Sequence, residues 1–135
     1  MAFDQSPLNL SLPANADLSA AQYKIVKLGT NGKVALGSVA GEPVIGVLQD
    51  KPGAADRVAQ VCVSGVSKVI AGTGGIDEGQ YIKTDTAGLA VVASASTGAG
   101  ITGSHVLGIC IKAAASGEIG TILITQTGAV PTTAA

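Results

Sequence analysis

The sequence predicts an all-β domain: a compact sandwich or barrel built from two similar four-strand units, preceded by an extended N-terminal arm. Three observations predict it. Apolar residues fall in short β-branched runs separated by turn residues. No window sustains a helical apolar period. The order of runs and turns is written twice.

The elements follow in chain order. In the arm, "SPLNLSLPAN" (6–15), Leu8, Leu10 and Leu12 alternate with Asn9 and Ser11 between flanking prolines. Alternation gives a strand one apolar and one polar edge. Three fates are open to it: adding to an exposed sheet edge on a neighbouring molecule, folding back on its own domain, or staying loose as termini often do. Phe3, Leu8, Leu10 and Leu12 are the candidate contacts. "DLSAAQ" (17–22) predicts one helical turn capped by Asp17 or Ser19. "YKIVKL" (23–28) and "KVAL" (33–36) flank "TNGK" (30–33), whose Asn-Gly pair predicts a tight hairpin with φ > 0 at both central residues. "VIGVL" (44–48) lies between the turns "AGEP" (40–43) and "DKPG" (50–53), and "RVAQVCV" (57–63) and "SKVI" (67–70) follow. Asp50, Asp56 and Asp85 read as turn residues, and Lys51, Asp56 and Arg57 as the charged rim of a loop.

"GTGGIDEG" (72–79) reads as the linker between the units. It lacks the Lys-Ser/Thr ending of a phosphate-binding loop and precedes no helical pattern. Then come "QYIKT" (80–84), the turn "DTAG" (85–88), "LAVV" (89–92), a long Ala/Ser/Gly insert "ASASTGAGITGS" (93–104), "HVLGICI" (105–111) and "GTILIT" (120–125). "TGAVPTTAA" (127–135) reads as a flexible tail. The predicted organisation is an arm over 1–16, a β domain over 17–126 with units at about 17–71 and 76–126, and a tail over 127–135.

The duplication is carried by two alignments. "AQYKIVKLGTNGKVAL" (21–36) resembles "GQYIKTDTAGLAVV" (79–92), matching Gln22-Tyr23 to Gln80-Tyr81. "PVIGVLQDKPGAADRVAQVCV" (43–63) resembles "HVLGICIKAAASGEIGTILI" (105–124), matching Gly46 to Gly108, Arg57 to Glu118, and Val61 and Val63 to Ile122 and Ile124. A unit of this size has too few strands to shield its own apolar face, and two together close one core. The arm has no counterpart in this alignment. Tyr23 and Tyr81 become an equivalent pair, read as core or intersubunit tyrosines with hydroxyls at the rim.

Composition bounds the function. The chain has 135 residues and a net charge of −1, with 13% charged and 47% apolar residues. Ordinary soluble domains carry about 25% charged residues. Ala, Gly, Ser and Thr cover the outside instead, which fits a surface partly buried against partners. No basic block marks a nucleic-acid footprint. The N-terminus has neither the charge nor the apolar run of a secretory signal, so synthesis in the cytoplasm is the expectation. No run is long enough for a spanning helix. Three aromatics, Phe3, Tyr23 and Tyr81, are too few for the girdles of a membrane barrel.

The order "DLSAAQYKIVKLGTNGKVAL…GEPVIGVLQDKPGAADRVAQVCVSGVSKVIAG…IDEGQYIKTDTAGLAVVA…GSHVLGICIKAAASGEIGTILI" resembles the capsid cement, or head decoration, proteins of tailed bacteriophages. The resemblance covers about residues 17–125 and rests on the order of Gly-containing hairpins more than on any one motif. It departs from the family pattern at Gln80, where Asp is expected, and in the 93–104 insert. It implies a compact β domain on the outer capsid surface of a virion, made in the host bacterial cytoplasm. It also implies self-association, usually as a homotrimer, and binding to the major capsid protein, bridging neighbouring subunits so that the shell resists packaged DNA. Direct nucleic-acid or membrane partners are not implied.

Chemistry offers little else. His105 is the one histidine and Cys62 and Cys110 are isolated in apolar strands, so a zinc set is not predicted. Free thiols are expected, with a Cys62–Cys110 disulfide open if their strands are neighbours. No nucleophile, base and orienter can be assembled, so no catalytic residue, cofactor or enzyme activity is expected. The competing functional class is an adhesin or carbohydrate-binding domain displayed on a particle, disfavoured by the shortage of aromatic platforms.

Overall fold

The structure, a computed structural model, describes residues 7–93 and 105–129, with backbone alone for 127–129. The described strands are β1 (Leu8–Pro13), β2 (Ile25–Leu28), β3 (Val34–Leu36), β4 (Gly46–Leu48), β5 (Val58–Ile70), β6 (Tyr81–Thr84), β7 (Ala90–Val92), β8 (His105–Lys112) and β9 (Ile119–Ala129). They form one curled antiparallel sheet in the order β3-β2-β4-β5-β9-β8-β6-β7, with β1 added on β5. The all-β expectation holds. Read inward from its two ends, the sheet repeats itself: β3-β2-β4-β5 corresponds to β7-β6-β8-β9.

Local chemistry explains the turns. Asn31 (φ 60°) and Gly32 (φ 70°) both take the left-handed conformation the Asn-Gly hairpin demands, and the Lys33 N–H donates to the Thr30 carbonyl. In the matching turn, the Asp85 carboxylate accepts from the N–H groups of Ala87 and Leu89. The helical turn expected at 17–22 is absent; Asp17 accepts from the Ser19 N–H and closes an Asx turn instead. The expected tail begins later than 127, because β9 continues to Ala129, which pairs with His105. Most of the 93–104 insert, and the tail beyond 129, lie outside the described residues.

The pairing registers correct the internal alignment. Val26 faces Leu36 and Gly46, while Ile82 faces Val92 and Gly108. Val26 is therefore the counterpart of Ile82, and Lys27 of Lys83. The Gln-Tyr match slips by two residues. Tyr81 corresponds to Ile25, and Tyr23 to Gly79. The hydrogen bonds agree, since the Tyr23 N–H donates to Leu48 as the Gly79 N–H donates to Cys110. Both residues have positive φ, 64° and 84°. A left-handed tyrosine is uncommon, and the second unit fills that position with glycine.

The arm also has a counterpart. β1 pairs with the first half of β5, with Leu12 opposite Ala59 and Leu10 opposite Val61. The second half of β5 pairs with β9 in the same way, with Val69 opposite Gly120 and Ser67 opposite Ile122. Ala14 then bridges Val34 as Ala71 bridges Ala90, so in each unit the first strand curls round to the third. Each unit thus has five strands, and β5 belongs to both: its first half ends one and its second half begins the other. Gly65, with φ 97°, marks the change of partner within β5.

Two apolar clusters follow from this plan. Ala14, Leu18, Val26, Val34, Leu48 and Val61 fill the first unit. Their counterparts Ala71, Ile76, Ile82, Ala90, Cys110 and Ile122 fill the second. Ile76 comes from the glycine-rich linker, which therefore supplies core as well as connection. The second cluster also takes in Ile25, Val47 and Cys62, from the opposite face of the first unit. That face is the seam between the units.

Candidate docking surfaces

The seam shows what these units do to each other. The Ile25 N–H donates to the Gly88 carbonyl at 2.7 Å, the Gly41 N–H to Thr84 at 3.0 Å and the Ile70 N–H to Tyr23 at 3.0 Å. The Gln49 amide donates to the Ser67 hydroxyl at 2.9 Å, and Ser67 is buried. The Gln126 amide donates to the Ile45 carbonyl at 2.7 Å. The Lys68 ammonium lies 5.7 Å from the Tyr23 ring centroid, within cation–π range. Buried backbone and side-chain polar groups are thus paired across the seam rather than stranded.

The residues singled out in the sequence divide. Leu12 packs half-buried on the first core. Leu10 (42% exposed) and Leu8 (57%) point to the same side of β1 but emerge progressively into solvent. Residues 8–13 are held by their own β5, so the described part of the arm folds back while presenting two leucines outward. Phe3 lies outside the described residues. Tyr23 is half-buried against the second core, whereas Tyr81 is 49% exposed, so the two tyrosines do not form a pair. The sequence reading missed Leu28 (51% exposed), Val39, Val58 and Ile119, all exposed. Val58 and Ile119 are counterparts, each beginning the last strand of its unit. No local signal marks them: Leu28, Val58 and Ile119 sit in runs that fit a buried strand equally well, and Val39 lies in the turn between β3 and β4.

The remaining polar groups are structural in geometry. Glu42 accepts from the Ser38 and Val39 N–H groups and from the Lys27 ammonium, pinning the 38–42 turn. Burial opposes its ionisation, but the two N–H groups and Lys27 outweigh it and its pKa is lowered. Lys33 pairs with Asp56 at 2.6 Å on the rim. Cys62 and Cys110 are free, buried, and donate to the carbonyls of Ser64 and Lys112. Burial pushes both thiols up, which disfavours the nucleophilic thiolate. His105 contacts Gln126 at 3.2 Å. Exposed apolar residues, Leu8, Leu10, Leu28 and Tyr81 among them, stand on the described surface of the sheet.

Comparison with known proteins agrees on the fold. No protein-family model matches the chain, and no curated protein matches it. Among solved structures, the crystal structure of the N base of the head fiber gp8.5 of bacteriophage phi29 is similar, with a TM-score of 0.67 at 15% identity. The similarity covers 93% of this chain and 99% of that one. At that identity the likeness is one of architecture, and it extends over both units.

Proposed function

We propose that this chain is a structural protein of a tailed-phage head, bound to the outer surface of the shell. In this reading it is a cement or decoration protein. It contacts the major capsid protein, bridges neighbouring subunits and self-associates as it does so. The observation that carries the proposal is the end-to-end similarity to a phage head fiber base. The sparsely charged surface with exposed leucines and tyrosine supports it.

A second reading is favoured by the same similarity: the base of a fibre or displayed appendage, to which an adhesive role would belong. Copy number separates the two. Virus-like particles carrying this chain are purified and the chain is quantified against the major shell protein by calibrated mass spectrometry. Near-stoichiometric occupancy supports the cement reading. A few copies per particle favour the appendage. Absence from particles ends both.

A further inference from the structure

The internal seam is built from one face of the first unit and one face of the second. Because the paired strands of the two units correspond in register, each unit's strands also carry the positions the other uses in the seam. Among the described residues, no unit covers the first unit's copy of the second unit's seam face, and none covers the second unit's copy of the first unit's seam face. We propose that these two leftover faces dock on each other between molecules, so that a second copy of this chain continues the seam head to tail.

The residues at the leftover positions fit this. Ile25 is fully buried in the seam, and its counterpart Tyr81 is exposed. Thr84 is fully buried in the seam, and its counterpart Leu28 is exposed. Across the seam Gln49 hydrogen-bonds Ser67. The counterparts of that polar pair are Ile111 and Leu10. Both positions are apolar where the seam pair is polar, although one stands on β1 and the other on β8, strands that do not pair with each other. A lone exposed leucine needs no explanation. Large apolar side chains standing at the seam-equivalent positions of both faces indicate matching halves of one contact.

The second seam is shallower than the first. Pro13 and Pro43 stand where Ile70 and His105 donate backbone N–H groups to Tyr23 and Gly41, so two hydrogen bonds cannot recur. Ala93 stands where Gly37 admits the Thr84 side chain. Association therefore rests on side-chain burial and is separable from folding. The contact is heterologous: its two halves differ, and repeated copies form a ring if the rotation closes and a filament if it does not. This gives the self-association proposed above its surface, and it does not depend on capsid binding.

The test uses purified full-length chain in sedimentation velocity across a concentration series. The wild type associates. Tyr81→Glu and Leu28→Glu each weaken association at least about tenfold, as expected for a central contact. Both stay folded by circular dichroism, since both sites are exposed. An equimolar mixture of the two variants regains association but stops at a heterodimer, because each chain keeps the half that the other lacks. As a second measurement, chains carrying Leu10→Cys and Ile111→Cys form an oxidised heterodimer when mixed and none when kept apart. A monomeric wild type at every concentration overturns the proposal. So does a mixture no more associated than its components, or crosslinking of Leu10→Cys to itself. Each of these results leaves the particle copy number, and hence the capsid reading, untouched.

Discussion

β1 and the second half of β5 occupy the same place in their two units, yet water treats them oppositely. Along the second half of β5 the inward positions are Val69, Ser67 and Gly65, and all are buried. Along β1 the same positions are Leu12, Leu10 and Leu8, and they run from half-buried to more than half exposed. The strand with the larger apolar side chains is the wetter one. The difference lies in what covers each strand. Unit one lies over the second half of β5, where Gln49 reaches Ser67. Among the described residues no equivalent unit lies over β1. Burial here follows position in a row of units rather than the hydrophobicity of the strand itself.

The largest effect that bears on this comparison is expected at the paired glycines. A Cβ at Gly46 would overlap the Cys62 carbonyl oxygen, and one at Gly108 the Leu123 carbonyl oxygen. Neither backbone can yield without losing sheet pairing. Gly46→Ala and Gly108→Ala should each cost about 3 kcal/mol or more by urea denaturation. Equal losses mean that the units unfold together. A second transition in only one variant would break the picture of a single cooperative sheet.

The strand comparison itself gives the middle effect. Val69→Ala should cost about 2 kcal/mol, since it empties a fully buried position. Leu10→Ala should cost under about 0.5 kcal/mol in the monomer, because the side chain is already hydrated. Denaturation midpoints of dilute protein read both. A large loss for Leu10→Ala would mean that β1 is covered in solution.

Smaller than the Val69 loss is the effect expected in the 38–42 turn of the first unit. Glu42 has a folded pKa below its ordinary 4.5. Its ionised form therefore stabilises the fold above about pH 4.5, and that contribution fades as pH falls through the lower folded value. Glu42→Gln should lose about 1 kcal/mol at neutral pH and nothing at the acid end. Thermal midpoints of the two proteins should converge on acidification. A gap that persists at low pH would assign the effect to packing.

Much of the fold was legible. β2 to β9 grew from runs holding β-branched residues and β1 from alternating leucines, and Asn31-Gly32 placed its turn because φ > 0 is a local property. Gly46 and Gly108 were matched correctly, since glycine is kept where backbones touch. The Gln-Tyr match failed because Tyr23 takes the backbone of a glycine, which composition does not reveal. The arm looked unpaired in sequence because its counterpart, Lys68 and its neighbours, is fused into the middle of the longest strand.

The sequence alone therefore determined the elements, their turns and the fact of duplication, all of which depend on residues close together in the chain. Tertiary structure decided the register of the repeat, the five-strand unit and the exposure of Leu8, Leu10, Leu28 and Tyr81. A period of two says that a side chain faces one side of a sheet. It does not say whether another unit lies there, and in this molecule that depends on strands paired across long stretches of chain.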